Sequence, residues 1–184
     1  MTQRILAVDD EGDMLRLMER IVRGKTSYEF DSCNNPMDVP ELLAEKEYDL
    51  VITDLKMPGM DGLDILRHIR EEERQEIVIV ITAYGSLDSA LEAIQLGAFN
   101  FITKPFKKDY LLDTIHRAME HQKASRTAQR FRDLLQTRPF DDALASFKHE
   151  YISHALRSTQ TDPGQLARDT GLSEELIRRV KEDE

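Results

Sequence analysis

Cysteine is nearly absent from this 184-residue chain, and long apolar runs are absent altogether. The single cysteine, Cys33, rules out a disulfide within the chain, and one thiol fits a reducing compartment. No stretch approaches the roughly 18–20 apolar residues that a membrane-spanning helix needs. No basic-then-apolar leader precedes the first apolar run. These absences predict a cytoplasmic protein with a buried core and no membrane partner.

Positive charge is also scarce, because 25 Lys and Arg face 35 Asp and Glu, for a net charge of −10 at pH 7. Residues 1–114 carry 13 basic and 23 acidic side chains, whereas residues 115–137 carry 5 and 2. Binding to nucleic-acid phosphates requires positive charge. The amino-terminal part is therefore not expected to bind nucleic acid, and the basic stretch lies just after it.

The chain does contain short apolar runs that end in polar residues. Continuous apolar runs are typical of parallel strands buried on both faces, and ligands of doubly wound sheets bind beyond the carboxyl ends of the strands. The side chains at these ends are therefore expected to converge on one edge of one sheet, as a site for a cation and a phosphoryl group. They are Asp9, Asp10, Asp54, Thr82 and Lys104.

Strand and helix patterns alternate five times before about residue 120, which predicts a parallel sheet with helices on both faces. The expected strands are 3–8, 27–32, 48–53, 77–81 and 99–103. The expected helices are 13–23, 36–46, one capped by Asp61, 85–97 with the apolar stripe Leu87, Ala90, Leu91 and Ile94, and a last helix from about 106.

The last of these helices has no Gly or Pro to stop it before Arg138-Pro139, so we expect it to continue to Gln136 as a helical linker. Beyond Pro139 the pattern is all helical. Asp162-Pro163 starts a short helix, Gly171 ends it, and Ser173 can cap the next one. Two short helices joined at a glycine have the helix-turn-helix shape.

The polar strand ends resemble the receiver domain of two-component response regulators, over roughly residues 2–120. The matching segments are Val8–Glu11, Asp54–Gly62, Thr82-Ala83 and Lys104–Phe106. Their occurrence in this order at successive strand ends makes the combination specific. The resemblance implies a flavodoxin-like, doubly wound, five-stranded α/β sheet.

By this resemblance Asp54 is the phosphoacceptor, which takes a phosphoryl group from a sensor histidine kinase and forms an acyl phosphate. Mg2+ would be held by Asp10, Asp54 and the main-chain carbonyl of Lys56, with Asp9 acting largely through a bound water. These are hard oxygen ligands of the kind that Mg2+ prefers. Lys104 would neutralise a phosphoryl oxygen, so that catalysis is mostly positioning and electrostatics.

Thr82 and Phe101 resemble the switch pair of the same family. On phosphorylation the Thr82 hydroxyl would move to a phosphoryl oxygen, and the Phe101 ring would turn inward. The moving face, which this family commonly uses for dimerisation, implies a homodimer through the receiver. Lys104-Pro105 would carry a cis peptide. The face consists of residues 85–97, 99–103 and 106–120.

A structural role is the alternative for each acid taken alone, because a lone Asp after a strand is usually a helix cap or a turn residue. That account would suffice for Asp61, and Asp9 and Asp10 could cap helix 13–23. A third acid, a hydroxyl and an ammonium at the same sheet edge favour the phosphorylation site.

The carboxyl-terminal segment resembles the small Fis-type helix-turn-helix module that ends NtrC-type activators, here without the ATPase domain that those proteins place before it. The resemblances divide the chain into a receiver domain at 1–121, a helical linker at 122–138 and an all-α helix-turn-helix domain at 139–184. The recognition helix of this family usually begins with basic residues, whereas this one begins Ser173-Glu174-Glu175. Carboxylates that face phosphates lower the affinity for DNA. The candidate DNA contacts are Arg168, Arg178, Arg179 and Lys181.

Three functions remain open. The first is a regulator whose phosphorylation drives dimerisation and DNA binding, helped by Arg126, Arg130 and Arg132 of the linker. The second is an adaptor or phosphorelay intermediate whose helical module binds protein, which the acidic start of the recognition helix favours. The third is an aspartate-nucleophile phosphatase, which carries an acid two residues after the nucleophile; here that residue is Lys56. We therefore expect no enzyme activity beyond Mg2+-dependent self-phosphorylation and autodephosphorylation.

Overall fold

The computed structural model describes residues 3–83, 86–137, 148–149, 152–153, 156 and 162–182. The chain forms two compact units, Met1–Ser125 and Arg126–Glu184. Strands and helices alternate through the first unit. The strands are β1 (Arg4–Val8), β2 (Glu29–Cys33), β3 (Leu50–Asp54), β4 (Ile77–Thr82) and β5 (Asn100–Thr103). The helices are α1 (Gly12–Arg23), α2 (Val39–Glu45), α3 (Gly62–Glu71), α4 (Leu87–Gln95) and α5 (Lys108–Thr137).

The five strands form one parallel sheet in the order β2-β1-β3-β4-β5. Successive residues of a strand enter opposite cores. Ile5 and Ala7 of β1 belong to the core that α1 and α5 cover, whereas Leu6 and Val8 belong to the core that α2 and α3 cover. Burial on both faces explains the continuous apolar runs. The strand order and the helices on both faces confirm the predicted doubly wound, flavodoxin-like sheet.

Two element boundaries differ from the sequence prediction for local reasons. Strand β2 begins at Glu29 and not at residue 27, because Thr26 prolongs the end of α1: its N–H and its hydroxyl both donate to the carbonyl oxygen of Val22. The helix predicted at 36–46 divides into a 3-10 turn, Pro36–Asp38, and α2. Pro40 has no N–H to donate to the carbonyl four residues earlier, so a continuous α-helix cannot start at Pro36.

Helix α3 begins directly against the end of β3. Asp61 caps it as predicted: the Asp61 carboxylate accepts from the N–H of Asp64 at 2.8 Å, and the Asp64 carboxylate accepts from the N–H of Asp61 at 3.1 Å. The first helical residue, Gly62, lies so close to β3 that a Cβ there would be 2.2 Å from the carbonyl oxygen of Asp54. The absence of a side chain at Gly62 therefore fixes the distance between α3 and Asp54.

Helix α5 continues to Thr137, one residue beyond the predicted end at Gln136. None of the helices in the described ranges is both long and apolar enough to cross a membrane.

In the second unit, α6 (Pro163–Thr170) and α7 (Glu174–Glu182) are joined by three residues. The Asp162 carboxylate caps α6, Gly171 ends it with a φ of +70°, and the Ser173 hydroxyl accepts from the N–H of Leu176 at 3.3 Å. These features confirm the predicted helix starts and the glycine break. Most of the all-helical pattern predicted between Pro139 and residue 161 lies outside the described residues. A small core is formed by Ile152, Leu166, Ile177 and Val180.

Gly62→Ala is expected to destabilise the first unit by about 1–3 kcal/mol, the usual cost of overpacking, because the new methyl would collide with the backbone of Asp54. Urea unfolding followed by circular dichroism measures the change. Gly12→Ala is the matched control, since a Cβ there meets only the flexible Arg16 side chain at 3.3 Å. Equal stability of the two variants would contradict the close approach of α3.

Candidate functional site

The carboxyl ends of three strands bring charged side chains together at one edge of the sheet. Asp54 is the last residue of β3, Asp9 directly follows β1, and Lys104 directly follows β5. Because neighbouring parallel strands run in the same direction, residues at their ends meet at the same edge. The exposed fraction is 2% for Asp9, 7% for Asp54 and 13% for the Lys104 side chain.

One ammonium group bridges the two carboxylates. The Lys104 Nζ lies 2.7 Å from Asp9 Oδ2 and 3.1 Å from Asp54 Oδ1. Burial lowers the pKa of Lys104, but hydrogen bonds and charge attraction from Asp9 and Asp54 outweigh it, so the pKa is raised above its ordinary value. The ammonium is therefore fully charged at neutral pH and balances part of the negative charge of the site.

The remaining oxygens of both carboxylates accept backbone N–H groups. Asp9 Oδ1 accepts from Glu11 at 2.9 Å, and Asp54 Oδ2 accepts from Lys56 at 2.8 Å. The N-cap residue of α1 is Glu11, and no side chain forms a capping hydrogen bond there. Asp9 thus serves the charged pocket and does not cap the helix. Each carboxylate is held by one cation and one main-chain donor.

The third predicted acid differs from the other two in its exposure. Asp10 is exposed, and so is the side chain of Lys56. Within the described ranges, no group of three or more His, Cys, Asp or Glu side chains has the spacing of a metal site. The structure therefore brings two of the three predicted carboxylates together at Lys104, and their oxygens are hard ligands of the kind that suits Mg2+.

The predicted switch residues lie on the neighbouring strands β4 and β5. Thr82 ends β4 with its side chain fully buried, and its carbonyl oxygen accepts from the N–H of Lys104 at 2.7 Å. Phe101 on β5 is half-buried and packs against the core that α2 and α3 cover. The Lys104-Pro105 peptide is cis, as predicted.

Helix α4 exposes most of the apolar stripe that the sequence places on it. Ala93 is the buried residue of α4, whereas Leu87 is 76% exposed and Leu91 and Ile94 are each 51% exposed. Polar contacts from α3 supplement the small buried area: Arg67 bridges to Glu92 at 2.5 Å. The sequence did not indicate this ion pair, since surface Arg and Glu side chains are common on any helix.

Comparison with known proteins agrees with this geometry. Residues 5–116 match the family described as the response regulator receiver domain. The response regulator protein PilR of Pseudomonas aeruginosa is 33% identical over 187 residues, covering 97% of this chain and 39% of that protein. The DNA-binding transcriptional regulator NtrC of Escherichia coli is 36% identical over 121 residues, covering 64% of this chain and 25% of that protein. The chain thus spans about two fifths and a quarter of the lengths of these two relatives.

A solved structure supports the fold. The solution structure of the beryllofluoride-activated NtrC4 receiver domain dimer superposes with a TM-score of 0.61 at 33% identity. The match covers 65% of this chain and 98% of that one.

Lys104→Met is expected to lower the free energy of unfolding by about 1–3 kcal/mol at pH 7, because it leaves two buried carboxylates without their cation. A raised pKa in the folded state means that Lys104 stabilises fully below its unfolded pKa of about 10.4. That stabilisation is lost as the pH rises through the folded value. The difference in the free energy of unfolding between Lys104→Met and the wild type should therefore persist from pH 7 to 9 and become smaller at more alkaline pH.

Urea unfolding without divalent cations measures this difference at each pH. Lys107→Met removes an exposed lysine from the same connection and is the matched control. An effect of Lys104→Met no larger than that of the control would show that the bridge contributes nothing to stability.

Proposed function

The chain belongs to the response regulator receiver family, and from that premise we propose that Asp54 accepts a phosphoryl group from a sensor histidine kinase. The contact of one ammonium, on Lys104, with both Asp9 and Asp54 is the observation that carries the proposal. A carboxylate nucleophile and a phosphoryl group are both anionic, so a positive charge must lie between them before they can react. Lys104 is placed to supply that charge.

The reaction forms a bond from an Asp54 carboxylate oxygen to phosphorus and breaks the bond from phosphorus to the kinase histidine, whose imidazole then takes up a proton. The N–H of Lys56 holds Asp54 Oδ2, so the carboxylate orientation is fixed before attack. Oδ1 faces the ammonium of Lys104, which pairs next with a phosphoryl oxygen. Positioning and charge supply most of the rate enhancement in such transfers.

Mg2+ is the cofactor of this proposal, and the donor set suits it, because Asp9 and Asp54 offer carboxylate oxygens at one sheet edge. The residues that would hold it are Asp9, Asp10, Asp54 and the main-chain carbonyl of Lys56. When bound, the ion neutralises charge on the phosphoryl oxygens. Asp10 is exposed beside the pocket, so its part requires a side-chain rotation or an intervening water.

The proposed switch uses Thr82 and Phe101. The buried hydroxyl of Thr82 would turn toward a phosphoryl oxygen on Asp54, and the half-buried ring of Phe101 would move further inward. The neighbouring helix α4 would repack with little loss of apolar contact, since Ala93 is its buried residue.

Phosphorylation would then favour a homodimer through the receiver. Leu87, Leu91 and Ile94 form an exposed apolar stripe on α4, one turn apart, and such a stripe loses unfavourable contact with water when a second copy covers it. The related NtrC4 receiver is a dimer in its beryllofluoride-activated form, which supports this reading.

For the output we propose a Fis-type helix-turn-helix module that binds DNA. Helices α6 and α7, joined by three residues at Gly171, supply a two-helix unit with its own core. Its exposed cations are Arg168, Arg178, Arg179 and Lys181. The related NtrC is by name a DNA-binding transcriptional regulator.

Binding to a protein is the second candidate for this module. The exposed Glu174 and Glu175 open α7 and oppose phosphate binding, which favours an adaptor or a phosphorelay intermediate. Catalysis on other substrates is not proposed, because Lys56 occupies the position where aspartate-nucleophile phosphatases carry their general acid.

Asp54→Asn is expected to abolish labelling by a small phosphodonor such as acetyl phosphate, because an amide cannot form the acyl phosphate. Intact-mass spectrometry counts the added phosphoryl groups with and without Mg2+. Asp88→Asn, which changes an exposed carboxylate of α4, is the matched control and should be labelled as the wild type is. The assignment would be overturned if the Asp54→Asn variant were still labelled, or if labelling of the wild type were unchanged when Mg2+ is removed.

Leu91→Lys should weaken the activated dimer roughly tenfold or more, because burial of one leucine contributes about 1.5–3 kcal/mol. Analytical ultracentrifugation with beryllofluoride and Mg2+ measures the dissociation constant. Leu17→Lys, at an exposed leucine of α1, is the control and should leave dimerisation unchanged. If the two variants dimerise equally well, the α4 stripe is not the interface.

A further inference from the structure

An ion pair lies within the exposed face of α7. Both Nε and Nη2 of Arg178 donate to Glu174 Oε1, at 3.0 and 2.6 Å. The two side chains are one helical turn apart and are 64% and 47% exposed. On the opposite face, Ile177 and Val180 are buried in the small core of the second unit. The pair therefore faces outward on the helix that the proposed module would use for recognition.

The Glu174 carboxylate is also held close to α6. A Cβ built on Gly164 would lie 3.8 Å from both Glu174 Oε1 and Arg168 Nη1. With Glu175 and Arg179, the paired side chains line one open depression on this surface. The pair is thus close to the first turn of α6.

Stability is a poor explanation for this arrangement. An exposed pair one turn apart on a helix contributes only about 0.3–0.5 kcal/mol. A carboxylate at the start of a recognition helix lowers the affinity for any DNA, since it repels the phosphates. A compensating role is needed, and base recognition supplies one, because the first residues of a recognition helix contact base edges in the major groove.

The chemistry of the two groups matches one base pair in particular. A guanidinium bonds guanine O6 and N7, and a carboxylate accepts from the N4 amino group of cytosine. A guanidinium carries five N–H donors, enough to serve a guanine edge while it stays bonded to a carboxylate.

We propose that Glu174 and Arg178 form a base-reading pair, in which Arg178 recognises a guanine and Glu174 recognises a cytosine of the same or the adjacent base pair. The proposal rests on the DNA-binding output proposed above and names its target class, a half-site with a C·G pair under the start of α7. Glu174 reduces affinity for every other sequence, so the same carboxylate that weakens general binding creates discrimination.

The test uses the full chain, activated with beryllofluoride and Mg2+, against a DNA library with randomised half-sites. Bound fragments are sequenced after selection at low and at moderate salt. Glu174→Ala is compared with Glu175→Ala, which removes the same charge from the neighbouring exposed position. We expect the wild type to prefer one C·G position, Glu174→Ala to lose the cytosine preference by roughly 5- to 100-fold, and Glu175→Ala to keep it. Arg178→Ala should lose the guanine preference.

Two different results would overturn the proposal, and only the second would also overturn the proposed DNA-binding output. If DNA is retained but Glu174→Ala and Glu175→Ala raise retention equally with unchanged base preference, Glu174 only repels phosphate and the pair reads no base. If no variant retains DNA at low salt, both the pair and the DNA-binding output are wrong. Labelling of Asp54 by acetyl phosphate, followed by intact mass in separate samples without beryllofluoride, shows independently whether the receiver assignment stands.

Discussion

A buried ammonium between two buried carboxylates holds together the ends of strands that are far apart in the sequence. Lys104 follows β5, Asp9 follows β1, and Asp54 ends the central strand β3, so a single cation joins strand ends on both sides of β4. Two carboxylates this close would repel each other strongly in a medium of low dielectric constant. The same repulsion makes the site receptive to a cation, and the proposed phosphoryl group on Asp54 would supply a new partner for the ammonium. If Asp54 accepts a phosphoryl group as proposed, the contact between Lys104 and the two carboxylates is the one that must rearrange.

Much of the first unit could be predicted from the sequence, because buried parallel strands leave uninterrupted apolar runs and their ends mark one edge. Asp9, Asp54 and Lys104 are found together for that reason. The exposure of Asp10 was not foreseen, because an apolar run shows where a strand ends but not the direction in which each side chain after it points. The periodicity of α4 predicts an apolar face, but it does not predict whether the sheet or a partner covers that face. In this helix the small Ala93 meets the sheet and the leucines meet solvent.

The low positive charge of the proposed helix-turn-helix module affects how the receiver could control its binding to DNA. With Glu174 already occupying two donors of Arg178, α7 presents little net positive charge, and a single module should bind general DNA weakly. If one copy binds DNA weakly, dimerisation can control the affinity for DNA. When two modules are linked, the second binds at a high effective concentration, and the combined affinity can exceed either alone by a factor of about 100 to 10,000.

Dimerisation through the α4 stripe would supply that link, and α5 is the element suited to carry it, since it runs unbroken from Lys108 to Thr137. Strongly basic recognition helices would bind DNA before phosphorylation. They would therefore reduce the difference in DNA affinity between the unphosphorylated and the phosphorylated protein. A recognition helix that neutralises its own arginine would bind DNA weakly as a monomer and more tightly at a matching sequence in a dimer. The acidic start of α7, which at first argues against DNA, is therefore consistent with a regulator whose binding depends on phosphorylation-driven assembly.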